Sequence, residues 1–556
     1  MSALKLARSP AIHSLLGVNS HLIRTTAWRS RPSSLRSIPS ASRTFTSTQW
    51  TLNEQRDRQQ QQKQQDHVQP QSQSSNAHED ATAQSTTSNS APFDNFNQSL
   101  PPGWEDDTEL SSVKQFSDLP HKHFGYNQHI KVNEDFKEAL RQVLWQFRAP
   151  IRYAFAYGSG VFGQSNTTGG GADGMSPHPN PPKAVEEWQS GGAKIIDFIF
   201  GVSHTHHWHS LNLAQHPEHY SGLKYLPYAS GAISRIQDRI GAGVYFNPYI
   251  TVNGTMIKYG VVNLDTLSSD LSEWNSLYLA GRLQKPVKIL RDDPRVRLAN
   301  QVNLISALRT ALLMLPENFT ERQLYERIAG LSYMGDPRMN SYFSGENPNK
   351  VSNIVGAQLP GFRQLYVPLI VNLPNLTFTD SRTPHVLGWE KEDAIRHTGS
   401  SPALHDVLGG ADGLTLQQDM DPKKRGNMVR RLPKAFRTKL YWQYKKKFGI
   451  PGSAFDSVLE AAADEDAAEG FKRREGGDFE RRIAAQDDLS AVMGQAVTQT
   501  VAWPSTSQTI KSFFTAGIGR AWKYYSDKRR KSREKGKKEA LKKLQGGEGA
   551  KVEKDE

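Results

Sequence analysis

The sequence predicts an α+β (α/β) fold, and three observations carry that prediction. Between about residues 119 and 292, segments with helical apolar periodicity alternate with short runs rich in β-branched and aromatic residues. Two of those runs flank an Asn-Gly pair, a strong short-range hairpin signal. From residue 293 onward helical patterns dominate, so strands and helices are partly segregated along the chain.

The elements follow in order. In "NEDFKEALRQVLWQFRAP", Phe136, Leu140, Val143, Leu144 and Phe147 share one helical face, and Pro150 stops the helix. "IRYAFAY" is a short strand that runs into glycines, and a Gly-, Asn- and Pro-rich excursion over 165–193 reads as a loop insertion. "AKIIDFIFGVSH" is a second apolar strand broken by one acid, Asp197. "GAGVYFNPYITVNGTMIKYGVVNL" gives two strands joined through Val252, Asn253 and Gly254. Further on, Leu298, Val302, Ile305, Leu308 and Leu312 make one helical face that Pro316 ends, and Thr320 with Gln323 forms a capping box for the next helix. "VSNIVGAQLPGFRQLYVPLI" is a third amphipathic segment.

The flanks have a different character. The first 48 residues contain no Asp or Glu, several Arg and many Ser, the composition of a mitochondrial transit peptide with a cleavage region around Arg43. Residues 49–118 are rich in Gln, Ser and Asn and cannot bury enough apolar surface to offset the entropy of ordering them, which agrees with an apolar fraction of only 37% for the whole chain. Residues 381–500 read as variable and partly disordered, and 501–556 as a basic amphipathic attachment segment and tail. Both "LPKAFRTKLYWQYKKKFGI" and "IKSFFTAGIGRAWKYYSDKRRKSREKGKKEALKKL" interleave aromatic and basic residues, a pattern that lies in the interface of anionic membranes; RNA is the other partner such a composition fits. The net charge of +13 favours anionic partners in general. No run approaches the roughly 20 apolar residues of a membrane span. With no cysteine, the chain has no disulfide framework and no thiolate-held metal.

The most informative stretch is "YAFAYGSGVFGQ", which satisfies the letter of G-x-G-x-x-G. A dinucleotide site also needs a helix directly after the glycines and an acid about 20 residues on. Here "QSNTTGGGADGMSPHPNPP" follows, and Asp197 lies 38 positions beyond Ser159, so that reading fails on context. A strand delivering Gly-Ser, followed by a strand presenting a carboxylate among apolar neighbours, is instead the layout of polymerase-β-type nucleotidyltransferases. In it Gly158 allows close backbone approach, Ser159 offers a hydroxyl and an N–H to phosphates, and Asp197 reaches a divalent cation that bridges the triphosphate. A buried, paired Asp after a tight turn is the structural alternative. "HTHHWHS" places His204, His206 and His209 like the histidines of a metallohydrolase, but Trp208 stands where the Asp ligand belongs.

"AYGSGVFGQ", "IIDFIFGVSHTHHWHSLNLAQHPEHYSGLKYL", "GAGVYFNPYITVNGTMIKYGVV", "DLSEWNSLYLAGRLQKPVKIL", "LMLPENFTERQLYERIAGLSYMGDPRM" and "STSQTIKSFFTAG" together resemble the mitochondrial CDP-diacylglycerol synthases, phosphatidate cytidylyltransferases of the translocator assembly and maintenance family. The resemblance implies an enzyme joining CTP and phosphatidic acid into CDP-diacylglycerol and pyrophosphate for cardiolipin and phosphatidylglycerol synthesis. It implies a nucleotidyltransferase domain over 119–292, a helical winged-helix-like domain over 293–380, and peripheral attachment to the matrix side of the inner membrane. On this reading Ser159, Asp197 and Lys258 are the catalytic residues, Gly158, Ser159, Gly160, Arg282, Lys285 and Lys288 hold nucleotide phosphates, and Mg²⁺ is the cofactor. Asp197 is its ligand, with Asp270 as second carboxylate and Asp265 as a weaker rival; a helix-terminal acid is the alternative for Asp270. His209 and Ser210 are candidates for orienting phosphate, against a packed, hydrogen-bonded histidine. Nucleic acid is the disfavoured partner. A mitochondrial RNA nucleotidyltransferase and a non-catalytic assembly factor are the alternative functions.

Overall fold

A computed structural model describes residues 100–516 apart from 102–103, 108–109, 164–175, 191–192, 340–347, 381–411 and 468–474. The expected transit peptide, most of the Gln-rich segment, much of the 165–193 insertion and the tail beyond 516 lie outside the described residues.

A five-stranded mixed sheet organises the first half. Its strands are β1 (Tyr153–Tyr157), β2 (Ile196–Val202), β3 (Val244–Val252), β4 (Thr255–Asn263) and β5 (Lys288–Arg291), in the order β3-β4-β2-β1-β5. Only the β2–β4 pair is parallel. The Asn-Gly turn forms as the sequence predicts: Asn253 and Gly254 both take positive φ, 46° and 71°, which suits the right-handed twist of a two-residue hairpin. Near the middle of β3 a register shift between Asn247 and Ile250 lets Val244 and Phe246 face one side of the sheet and Ile250 and Val252 the other.

Each face of the sheet builds its own core. On one, Phe198, Phe200, Tyr259 and Val261 pack with α1 (Glu134–Trp145) and α2 (Thr205–Gln215), and Tyr245 with Ile233 of α3 (Ala229–Arg239). On the other, Tyr153, Phe155, Ile199 and Val262 meet α4 (Leu264–Glu273) and α5 (Pro294–Met314). Gly260 is required here, since a Cβ would come within 2.6 Å of the Phe246 ring and 2.9 Å of Ile199. The helix α5 differs from its expected one-faced pattern: it is buried almost all round, because helices surround it.

After α5 come β6 (Asn318–Thr320), α6 (Glu321–Leu331), α7 (Lys350–Val371), β7 (Leu376–Phe378) and β8 (Thr415–Gln418), the three strands forming a small antiparallel sheet of order β6-β8-β7. The capping box at α6 is present in both directions, Gln323 N to Thr320 Oγ1 and Thr320 N to the Gln323 amide oxygen. Beneath it Glu321 and Arg363 form a fully buried ion pair at 2.6 Å. The backbone departs from helical angles at Gln358, two residues before Pro360, and so kinks α7.

The region from 381 to 500, expected to be variable, contributes β8 and ordered helices among its described residues: α8 (Pro422–Arg430), α9 (Lys434–Phe448), α10 (Gly452–Ala467), α11 (Asp478–Ala484) and the start of α12 (Leu489–Ala516). The membrane-interface expectation for α9 needs correcting, because Phe436, Leu440, Tyr441 and Tyr444 are buried and its apolar face is used inside the protein. Its outer side presents Trp442 with Lys445 stacked on the ring. The boundary expected at 501 falls inside α12, whose Gln508 and Lys511 are buried against β3 and the end of α3. No helix among the described residues is long and apolar enough to cross a membrane.

Candidate active site

The cleft assembles where β1 ends. Tyr157 pairs with Asp197 across the antiparallel β1–β2 ladder, and Asp197 sits beside Lys258 in the parallel β2–β4 ladder. Strand alternation puts Asp197 and Lys258 on the same face, so the carboxylate and the ammonium meet at 3.5 Å, each about one-third exposed. Lys258 Nζ also lies 4.6 Å above the Phe246 ring, which holds the chain upright beside the acid.

Gly158 makes the turn that follows. Its φ is +80°, its carbonyl accepts from the N–H groups of Val161 and Phe162, and a Cβ there would come within 3.5 Å of Asp197. Gly160 serves differently from expectation. It does not line the cleft; a Cβ at this position would lie 2.5 Å from the Ile195 carbonyl oxygen, so glycine permits the turn to pack on the entry to β2. The insertion supports this turn from outside. Trp188 Nε1 donates to the Val161 carbonyl at 2.8 Å, and the Gln189 amide donates to the Gly160 carbonyl at 2.7 Å. Residues 176–190 are therefore part of the site's scaffold.

The opposite wall is basic. The short helix Ala280–Leu283 and its exit bring Arg282 and Lys285 to the cleft, and Arg338 and Lys350 arrive from the segments after α6 and at the start of α7. With Lys258, five cationic side chains and two carboxylates, Asp197 and Asp336, line a cavity of about 300 Å³. Arg282 is sandwiched by aromatics, its guanidinium 3.9 Å from the Tyr278 ring centre and 5.5 Å from that of Tyr157. Its Nε is buried without a hydrogen-bond partner. Burial, reinforced by the charges of Arg282 and Lys350, pushes Lys285 down to about 7. Asp336 would be raised by burial, but hydrogen bonds and the charge of Arg338 hold it below the ordinary carboxylate value. That leaves Asp197 as the cleft carboxylate not tied to a guanidinium.

Ser159, Gly158, Asp197, Lys258, Arg282 and Lys285 are thus brought together, and other expected residues are not. Lys288 lies outside the cleft; it is buried on β5, donates to the Ile130 carbonyl at 2.9 Å, and is pushed down to about 8 by burial. Asp270 cannot complete a metal site, because its two oxygens accept from the N–H groups of Ser276, Leu277, Leu279 and Ala280 and from the Ser276 hydroxyl. It is a loop holder that shapes the entry to the Arg282 helix. Asp265 is exposed and paired with Arg295 at 2.8 Å. His209 is a core histidine: Nδ1 meets the Tyr220 hydroxyl at 2.9 Å, Nε2 meets the Gln237 amide oxygen at 2.7 Å, and burial lowers it to about 4. Neither His209 nor the exposed Ser210 lines the cleft. His206 instead contacts Ser230, so the three histidines of "HTHHWHS" do not converge.

Residue-by-residue reading missed Asp336, Arg338, Lys350, Tyr278, Tyr333 and Gln358, all of which line the cavity. Five of these, all but Tyr278, lie after α6 or on α7, segments that only tertiary packing carries to the glycine turn. The clue lay in "YMGDPRM", where an acid and an arginine flank a proline.

For a divalent cation, the cleft offers Asp197 as one oxygen donor, which suits an ion that takes its remaining ligands from substrate phosphates and water. Comparisons with known proteins identify relatives of this chain. The family described as "Phosphatidate cytidylyltransferase, mitochondrial" matches residues 140–531. Proteins of that same name are 44% identical over 255 residues in Schizosaccharomyces pombe, covering 46% of this chain and 58% of the relative, and 43% identical over 259 residues in Saccharomyces cerevisiae, covering 46% and 60%. The Xenopus laevis protein of that name is 34% identical over 391 residues, 70% of this chain and 93% of the relative. The chain thus spans about three-fifths of the length of the two yeast relatives.

Proposed function

We propose, from the premise that this chain belongs to the mitochondrial phosphatidate cytidylyltransferase family, that it joins CTP and phosphatidic acid into CDP-diacylglycerol and pyrophosphate. The observation that carries the reading is the pairing of a glycine turn and one available carboxylate with a wall of cations in a single cavity. In the reaction a phosphatidate oxygen attacks the α-phosphorus of CTP, the bond from that phosphorus to the β-bridging oxygen breaks, and pyrophosphate leaves. Little covalent chemistry falls to the protein; positioning and charge neutralisation do the catalytic work.

Arg282, Lys285, Lys350 and Arg338 are suited to the triphosphate and the phosphatidate headgroup, and the unpartnered Arg282 Nε is a donor an anion would satisfy. Ser159 and the backbone beside Gly158, both at the cleft, are suited to close approach by phosphate oxygens. Lys258, 3.5 Å away, orients the Asp197 carboxylate. Mg²⁺, which Asp197 would hold, supplies charge neutralisation along the triphosphate. The five-stranded sheet supports the polymerase-β-type reading of residues 119–292. The helices α5, α6 and α7 with the small antiparallel sheet support a winged-helix-like second module, serving as a wall of the pocket. We further read the protein as a peripheral enzyme on the matrix side of the inner membrane, feeding cardiolipin and phosphatidylglycerol synthesis.

The test is transfer of label from α-phosphate-labelled CTP into lipid extract, with phosphatidic acid vesicles and Mg²⁺. Purified protein is expected to yield labelled CDP-diacylglycerol, and Asp197→Asn to lower the rate by at least about a hundredfold with unfolding midpoint retained. Transfer of label to RNA, or no transfer by a folded parent, overturns the reading.

A further inference from the structure

The segment between α2 and α3 leaves a compact apolar tip in solvent. Its base is anchored: Tyr220 is buried against Tyr245 and Ile233, with Leu223 packed beside them. Its tip is not. Tyr225 is 80% exposed, Leu226 45% and Tyr228 93%. Three of four consecutive positions with a large apolar side chain in water form the densest such run among the described residues, and an exposed apolar cluster on a stable support marks an interaction surface.

Three features identify the partner. The first is charge. From His219 to Gln237 the chain carries Lys224 and Arg235 and no acid, and Lys224 lies 5.1 Å over the Tyr225 ring, so cation and aromatic form one unit. The second is backbone satisfaction. A 3₁₀ turn over Gly222–Tyr225 closes Lys224 N–H onto Ser221 and Leu226 N–H onto Leu223, Pro227 has no N–H, and the Tyr228 carbonyl accepts from Ala232. With the Lys224 and Leu226 amides paired inside the turn and none on Pro227, fewer donors at the tip have to give up water. The third is conformation. Tyr228 holds φ of +55°, a left-handed geometry that costs a non-glycine residue free energy, and in that geometry its side chain is left almost wholly outside the fold.

We propose that Gly222–Tyr228 is a docking tip for the interface of an anionic lipid bilayer. Leu226 and the two rings enter the boundary between headgroups and acyl chains, the phenol hydroxyls stay among the headgroups, and Lys224 pairs with lipid phosphate. This inference rests on the reading that the acceptor is a membrane lipid, and it assigns attachment to a segment distinct from the basic C-terminal stretches.

The chain contains no cysteine, so Tyr225→Cys creates a single thiol for an environment-sensitive fluorophore. On phosphatidylcholine vesicles containing phosphatidylglycerol, the label is expected to shift to the blue and to be quenched by nitroxide lipids. The same label at Trp145→Cys on exposed α1 stays unchanged, as does Tyr225→Cys on pure phosphatidylcholine. Tyr225→Ser with Tyr228→Ser is expected to weaken vesicle partition about tenfold, and Lys224→Glu to weaken it in the same direction. The tyrosine variant keeps its rate on detergent-dispersed phosphatidic acid and loses it on vesicles. An unshifted label on protein that co-sediments with vesicles overturns the proposal, as does a shift produced by RNA alone or an equal rate loss in detergent. If the parent makes no product yet the label inserts, the cytidylyltransferase reading fails and the docking assignment stands.

Discussion

Lys285 shows how far a site can depart from the ordinary behaviour of its residues. Its ammonium is buried next to Arg282 and Lys350, donates to the Gly281 carbonyl and the Ser332 hydroxyl, and titrates at about 7 rather than 10.5. The free protein therefore holds this lysine partly neutral near pH 7–8, and a bound triphosphate would restore its proton. Nucleotide binding at pH 8 is expected to take up close to one proton, read by calorimetry in buffers of differing ionisation enthalpy, and Lys285→Met is expected to remove that uptake. A buffer-independent heat would rule it out. Asp197 and Lys258 were legible in the sequence because each is a lone charge in an apolar strand, which has to face a cleft or find a partner. Asp270 lies instead in the polar helical run "LSSDLSE"; its helix places it over the amides of residues 276–280, and short-range spacing carries no trace of that loop's path.

At the scale of elements, the glycine turn behaves as a clamped hinge between β1 and the approach to β2. Gly160→Ala would press a methyl group to 2.5 Å from the Ile195 carbonyl oxygen, where neither backbone can yield easily. Unfolding is expected to shift by about 1–3 kcal/mol, and activity to fall further than stability because Ser159 and Asp197 sit on either side of the displaced segment. Activity unchanged at a temperature where the variant is folded would count against that coupling. Periodicity located β1, β2, the hairpin, α1, α5 and the capped start of α6, because each is written in local apolar spacing or turn chemistry. It underrated 412–500, where helices of low contrast such as α9 and α12 gain order from packing on α4, α5 and β3 rather than from their own pattern. The same physics misled the reading of α9 as a membrane segment: aromatic and basic residues alternate there, but the aromatic side faces the protein core.

For the molecule as a whole, buried titratable groups set a pH profile for stability. His209 at about 4 is held below its ordinary value of 6.5, so the unfolded chain binds more protons in between, and stability rises with pH across that window. Lys285 and Lys511 at about 7, and Lys288 at about 8, are likewise depressed, so each adds stability as pH climbs from there toward 10.5. Denaturant midpoints are expected to increase from pH 4 to pH 9, and His209→Gln to flatten the acidic limb while leaving the alkaline one; a profile that peaks at pH 5 would contradict both. The cleft closes late along the chain. Its lining joins Gly158 to Ser505, and α12 is secured beyond that point by Gln508 on Val244 and by Lys511 on the carbonyls that close α3. A ribosome or an import channel delivering this chain from its amino end releases the last wall of the pocket only after some five hundred residues have passed. Catalytic competence would then arrive with full delivery, and a chain halted in transit would be silent.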